Sequence, residues 1–447
     1  MTPGSYIPTI WVLDYVIAFF YILIIYIIAF VYRNKKMETD DNYQYFLWAL
    51  SIKVFGGFGF LLLTVYYWGG GDTYSYWNTA NDFTKYIFEN PVDGFNIFFK
   101  SPDKMNWYEY EFAFNRHQFL RSTDTFTTVK ITAIINMLSF RSFVVTTVLF
   151  STFSFLGIWS MYYAFCKVYP HLRKQLFLAF FFIPSVVLWG SGILKDTITI
   201  SSVCLLVYSF MNIMILKRKK MGSIILIIMA TLTIAYLKPY ILYVLYPALF
   251  IWVQSNLKEF IPSDLMRRLM TPFIALTLIV SIYFLGQKLS QNAGNYNLGK
   301  IEKTLEGFQS WHTTVGETSE QSSYTLGDMN FTPLGMLQKV PEALAVTFFR
   351  PYPLEVKNAS MVLGAAEGLV LMFFTIWLVL RFRMRLFWLI YKNKDILFLL
   401  IFALIFGVVV GISSYNFGAL SRYKLPSQMF FVIALVLIND KTKRLID

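Results

Sequence analysis

The residues of this 447-residue sequence best suited to chemistry are charges set in, or directly against, long apolar runs. Asp72 follows three glycines in WGGGDTYSYW. Glycine backbone turns tightly, so the carboxylate is free to enter a cavity and act as a general base. The same residue also reads as a cap for a helix from Thr73 onward, and one residue can do both. Lys195 and Asp196 interrupt PSVVLWGSGILKDTI, where Pro184, Gly190 and Gly192 break the helical pattern. They read either as a local salt bridge or as a lysine facing a phosphate. Lys238 and Tyr240 lie at LKPY, where simple snorkelling of the ammonium competes with a binding role. In FFRPYPLEVKN, Pro351 and Pro353 stiffen the chain after Arg350, whose planar fork suits phosphate or carboxylate, and Glu355 is a second candidate base. Arg422 and Lys424 fall in YNFGALSRYKLP, and Arg116, His117 and Arg121 in NRHQFLRS. His117 could serve as a base, although a lone loop histidine is more often neither base nor ligand.

Cations grouped near a bilayer surface suit a lipid-linked phosphate or pyrophosphate whose glycan lies in the water layer. A carboxylate beside them would deprotonate an acceptor hydroxyl, and Trp and Tyr would stack on sugar faces. Metal chemistry is not expected. There are 3 histidines and 2 cysteines, with no ligand spacing, no HExxH, no Walker A and no dinucleotide-binding glycine motif. No cofactor is predicted.

These charges need a membrane scaffold to hold them. The chain is 56% hydrophobic and only 15% charged, with a mean hydropathy of +0.53. Soluble domains carry about 25% charged residues, so the composition belongs to the bilayer. Apolar runs predict an all-α, polytopic single transmembrane domain over 1–447, with about eleven spans of about 20 residues each. They are expected at about 10–32, 46–67, 142–166, 175–190, 197–216, 221–237, 241–256, 271–287, 360–380, 395–413 and 425–439. No basic segment precedes the first run, so it reads as a retained span. Alternate loops are short and basic, which predicts an outside N-terminus and an inside C-terminus in a cytoplasmic membrane. The net charge of +13 then falls on the cytoplasmic face as a topology signal, and nucleic acid is not an expected partner. Two long outer segments remain. Residues 68–141 predict interfacial helices, and residues 288–359 a mobile loop followed by a re-entrant or interfacial helix. The candidate charges gather at this outer side.

The WGGGDTYSYW stretch resembles the carboxylate-bearing first outer loop of GT-C-type glycosyltransferases. PSVVLWGSGILKDTI, FFRPYPLE and NFGALSRYKLP are similar to segments of O-antigen-polymerase (Wzy) and EpsG-like membrane proteins. The resemblance implies a membrane glycosyltransferase or polysaccharide polymerase using polyprenyl-(pyro)phosphate-linked sugars at the outer face. It implies Asp72 as base, Arg350 and Arg422 as pyrophosphate ligands, and Lys195 and Lys238 in weaker supporting roles. Membrane lipid, lipid-linked glycan and other envelope-biosynthesis membrane proteins are the partners it allows. The GT-C carboxylate usually follows the first span, whereas Asp72 follows the second. The rival readings are a transporter or flippase of a lipid-linked or anionic solute, and a non-catalytic subunit of an envelope or secretion assembly.

Overall fold

A computed structural model describes residues 10–114, 120, 122–217, 220–256, 307, 322–327 and 333–443. Among these the fold is all-helical, and the only sheet-like feature is an isolated bridge between Ser323 and Asn416. Seven helices are long and apolar enough to cross a membrane: Val12–Met37, Asp41–Tyr67, Phe143–Val168, Lys195–Met214, Lys220–Leu237, Ala359–Phe382 and Lys394–Ser414. Phe417–Tyr423 and Leu425–Asp440 add an eighth if that pair, bent by 62°, is one span. Of the other expected spans, 175–190 is not continuous helix. Pro184 has no N–H to donate, so the chain breaks into Arg173–Phe181 and Pro184–Leu188. Pro239–Ser255 is a shorter apolar helix, and 271–287 lies outside the described residues.

In chain order the helices are α1 (Val12–Met37), α2 (Phe46–Leu62), α3 (Asp72–Glu89), α4 (Pro91–Phe99), α5 (Trp107–Phe114) and α6 (Thr123–Leu138). There follow α7 (Phe143–Val168), α8 (Arg173–Phe181), α9 (Pro184–Leu188), α10 (Lys195–Met214), α11 (Lys220–Leu237) and α12 (Pro239–Asn256). The last are α13 (Pro333–Gln338), α14 (Val340–Phe349), α15 (Ala359–Phe382), α16 (Arg385–Lys392), α17 (Lys394–Ser414), α18 (Phe417–Tyr423) and α19 (Leu425–Lys443). They form two compact units. The first comprises residues 1–173, 186–212 and 218–238, and the second 174–185, 213–217 and 239–447.

In the first unit, small residues let backbones approach closely, the usual device where lipid supplies no hydrophobic drive between helices. A Cβ on Gly157 would lie 2.6 Å from the Ser201 carbonyl oxygen, and one on Gly56 only 2.2 Å from that of Val187. Ser201 donates to the Phe153 carbonyl at 3.0 Å, and Ser154 to that of Gly190 at 2.6 Å. Lys53 is fully buried and donates to the Val186 and Gly190 carbonyls at 3.0 and 2.7 Å. It thereby satisfies carbonyls that α9, ending at Leu188, cannot bond within its own ladder. α3 to α6 contribute buried residues to a core shared with α2, α7 and α10, with Phe83 stacked on Phe114 at 4.5 Å and Phe126 packed beside them.

In the second unit, α17 packs against α12, α14 and α19. The helix expected in the later part of 288–359 is divided into α13 and α14. In α14, Ala343, Val346 and Phe348 are buried. Gly411 of α17 admits the Ala343 carbonyl, and Thr347 donates to the Gly407 carbonyl at 2.7 Å.

A Cβ on Gly157 would meet the Ser201 hydroxyl at 2.2 Å and also the Ser201 backbone at 2.6 and 2.7 Å, and rotating the hydroxyl away would not relieve the backbone contacts. Gly157→Ala is expected to destabilise the protein by about 1–3 kcal/mol. Gly222→Ala, which meets open space, should leave the thermal midpoint of detergent-purified protein unchanged or raised.

Candidate functional site

In the first unit, α2 ends in a π-helical turn, Leu63–Tyr67, and the chain then passes through Gly69, Gly70 and Gly71 at φ +63°, +133° and +107°. Nothing lies within 4 Å of a Cβ built on Gly69 or Gly71, so conformation and not space requires glycine there. Gly71 is the N-cap of α3, and Asp72 is its exposed first residue, where the positive end of the helix favours a carboxylate. The cap reading is thus shifted by one residue.

The flanking aromatics bring Asp72 and Lys195 into one neighbourhood. Trp68 stacks on Trp189 at 5.3 Å and 21°, joining the WGGGD and WGSGILKD segments. Tyr76, one turn after Asp72, has its ring 5.7 Å from the Lys195 ammonium. Lys195 and Asp196 do not pair with each other. Lys195 binds Asp124 of α6 at 2.5 Å and donates to Thr125 Oγ1 at 3.2 Å. Asp196 accepts from Lys238 at the end of α11. Starting a helix at Lys195 sends adjacent side chains about 100° apart, so the two charges reach different neighbours. Asp196 and Lys238 are 3% and 5% exposed, which makes Lys238 a buried counter-ion and not a snorkelling lysine. Burial opposes the charge on Asp124, but Lys195, Ser122 and the Thr125 N–H outweigh it and hold this carboxyl below its usual range.

In the second unit, Glu355 closes the Arg350 fork. The guanidinium Nε lies 3.0 Å from each carboxylate oxygen, and Nη2 also donates to Oε1. The Tyr352 N–H adds a bond at 2.7 Å. Burial pushes the Glu355 carboxyl up, but these bonds outweigh it and hold it low, so Glu355 is poorly suited as the alternative general base. Donating to Glu355 in turn raises the pKa of Arg350. The Arg350 guanidinium also lies 5.6 Å from the Phe417 ring and 6.0 Å from that of Tyr324. Arg422 is half-buried in the last turn of α18, and Tyr240 stacks on Phe406 at 5.9 Å. Lys424 sits at the α18–α19 bend, 1% exposed, donating to the Thr347 carbonyl at 3.0 Å and lying 4.0 Å from Glu367. Glu367 also accepts from the Ser185 N–H and hydroxyl and from Gln428 Nε2, at 2.7, 2.9 and 2.7 Å.

The candidates are therefore divided between the units. Asp72, Lys195, Asp196 and Lys238 belong to the first, and Tyr240, Arg350, Glu355, Arg422 and Lys424 to the second. Arg116, His117 and Arg121 lie outside the described residues. Sequence reasoning passes over Asp124, whose position in the first turn of a helix is also that of an ordinary N-terminal acid. It also leaves Ser185 and Gln428 without a role, since neither carries a motif. Among the described residues no group of His, Cys, Asp and Glu is placed to hold a metal ion. Comparison with protein-family models, curated proteins and solved structures finds no match to this chain.

Removing one partner of a buried ion pair leaves an uncompensated charge. Lys238→Met is expected to cost about 3–5 kcal/mol, with Asp196→Leu restoring most of it, read from thermal melts of the single and double variants. Asp124 is lowered in the folded state, so its contribution is present above the unfolded carboxylate pKa and lost on acidification. Melting temperature should therefore fall below about pH 4, and Asp124→Asn should flatten that part of the profile.

Proposed function

We propose that this chain is a membrane glycosyltransferase or polysaccharide polymerase using polyprenyl-(pyro)phosphate-linked sugars at the outer face of the cytoplasmic membrane. The observation that carries the reading is the grouping in the first unit. The exposed Asp72 follows a glycine turn and lies in sequence between Trp68, which stacks on Trp189, and Tyr76, whose ring faces the Lys195 that binds Asp124. This supplies a base, aromatic faces for a sugar, and a cation for a phosphate. Asp72 takes the proton of the acceptor hydroxyl, whose oxygen attacks the anomeric carbon of the donor sugar. The bond from that carbon to the phosphate oxygen breaks, and the lipid (pyro)phosphate leaves with the electron pair. Lys195 stabilises the departing charge in exchange for Asp124. In the second unit, Arg350 and Arg422 are proposed phosphate ligands, and an incoming phosphate would displace Glu355 from the fork. The cytoplasmic-membrane location and the outside N-terminus belong to the same proposal and rest on the distribution of basic loops.

A second reading, transport of a lipid-linked or anionic solute, is favoured by one arrangement. A carboxylate and an ammonium, Glu367 and Lys424, are buried together at the bend of a broken apolar helix. Ionisable groups and helix breaks of this kind mark transport pathways.

Asp72→Asn should lower glycan product by about 10²–10⁴-fold in a strain lacking the native copy, with the protein present at normal level. Wild-type product from a well-expressed Asp72→Asn variant would remove the base role. Proteoliposomes separate the two readings. Movement of labelled lipid-linked oligosaccharide across the bilayer without glycosyl transfer, abolished by Glu367→Gln, would favour transport.

A further inference from the structure

The turn between α15 and α17 carries a second concentration of charge, entirely within the second unit. Arg381, Arg383, Arg385 and Lys392 all lie in this short stretch and are exposed. Among the described residues none of the four has an ion-pair partner. The neighbouring carboxylate, Asp395, is buried and accepts from Trp252 Nε1 at 2.7 Å. Two of these cations rest on aromatic rings. The Arg381 guanidinium lies 4.9 Å from the Trp377 ring and 5.3 Å from that of Phe382, and the Lys392 ammonium lies 4.9 Å from Trp388. A ring face attracts the cation without occupying its N–H donors, which stay available to an anion.

Helix α16 divides this surface into three sectors. At 100° per residue, Leu386, Leu389 and Ile390 share one sector, and they pack the helix onto α17 and α19. Phe387 and Tyr391 share a second, 67% and 78% exposed. Arg385 and Lys392, seven positions apart, share the third. A short helix with one packed, one aromatic and one basic sector, joining two helices long enough to cross a membrane, fits the level where hydrocarbon meets headgroups. Arg383 extends the basic sector from a backbone at φ +46°, a conformation rarely adopted by residues with a side chain.

We propose that the α15–α16–α17 turn is a binding surface for the headgroups of anionic phospholipids. Arg381, Arg383, Arg385 and Lys392 bind the phosphate and the acidic headgroup, and Phe387, Trp388 and Tyr391 enter the upper acyl region. Both halves of the surface point to this ligand. A soluble phosphate compound would use the cations and leave the aromatic sector in water, whereas a phospholipid satisfies both.

The test uses the purified full-length chain in detergent, mixed with dioleoyl phosphatidylglycerol or dioleoyl phosphatidylcholine, with retained lipid counted by native mass spectrometry. The wild type is expected to retain the glycerol lipid about ten-fold over the choline lipid. Arg381→Gln, Arg383→Gln, Arg385→Gln and Lys392→Gln combined should reduce that preference to about two-fold or less. Removing four cations elsewhere (Lys35, Lys36, Lys217 and Lys220 to Gln) should leave it intact. Trp377→Leu with Trp388→Leu, which keeps every charge, should lower it about three-fold. Absence of a preference in the wild type, its survival in the quadruple variant, or its equal loss in the charge-matched control would overturn the proposal. Should the quadruple variant fail to fold, a photoactivatable phosphatidylglycerol on the wild type decides. Crosslinks within 377–392 support the surface, and crosslinks confined to other segments refute it.

Discussion

At the depth of the hydrocarbon there is no water to bond a charge, so each buried ion must be neutralised by groups the fold itself brings to it. The Asp196–Lys238 pair is the clearest case. Its members lie at the start of α10 and the end of α11, both nearly inaccessible, so the two helix ends must meet wherever the chain is folded. Lys195 is then committed to another partner, because Asp196, its chain neighbour, is already taken. That partner is Asp124 at the start of α6, and α6 in turn packs on α3, which begins at Asp72. One electrostatic requirement thus fixes the geometry of the whole candidate site in the first unit.

The second unit obeys the same rule with different means. Glu367 is buried in α15 and has its oxygens bonded by Ser185 and Gln428, with Lys424 4.0 Å away. Lys424 occupies the position between α18 and α19, where the helix axis turns by 62°, and its other partner is a main-chain carbonyl of α14. An ammonium held between a carboxylate and a carbonyl ties three segments at one point. Lys53 in the first unit shows that a carboxylate is not always needed. Carbonyls freed where α9 ends act as its acceptors, so a helix break and a buried lysine answer each other's requirements.

Much of the scaffold was legible in the sequence because the bilayer imposes a simple signal, runs of about 20 apolar residues. The helices at 12–37, 143–168, 359–382 and 394–414 lie close to where hydropathy alone puts them. The failures have local causes. Pro184 divides an apolar run that hydropathy reads as continuous. In the aromatic-rich helices between 72 and 138, Phe83, Phe114 and Phe126 meet each other, a choice of partner that composition does not reveal. Ion pairing was the least legible level. Adjacency leaves Lys195 and Asp196 open to pairing with each other or to a lysine facing a phosphate, and a helix start separates their directions. Only the fold shows that their partners are 71 and 42 residues away.

Exposure now divides the candidate charges more sharply than residue type can. For a ligand phosphate to recruit a cation, it must compete with the carboxylate already there. Where both partners are buried, as in Asp196–Lys238 and Glu367–Lys424, the released carboxylate would be stranded without solvent at a cost of several kcal/mol. Where the pair is partly wet, as in Lys195–Asp124 at 17% and 16% and Arg350–Glu355 at 22% and 26% side-chain exposure, water can solvate the displaced acid and exchange is far less costly. Lys238 and Lys424 therefore hold helix ends together, while Lys195 and Arg350 have the partly wet pairs in which exchange of the partner is least costly. Asp72 lies exposed at the first turn of α3, where water and a substrate have access to a carboxylate.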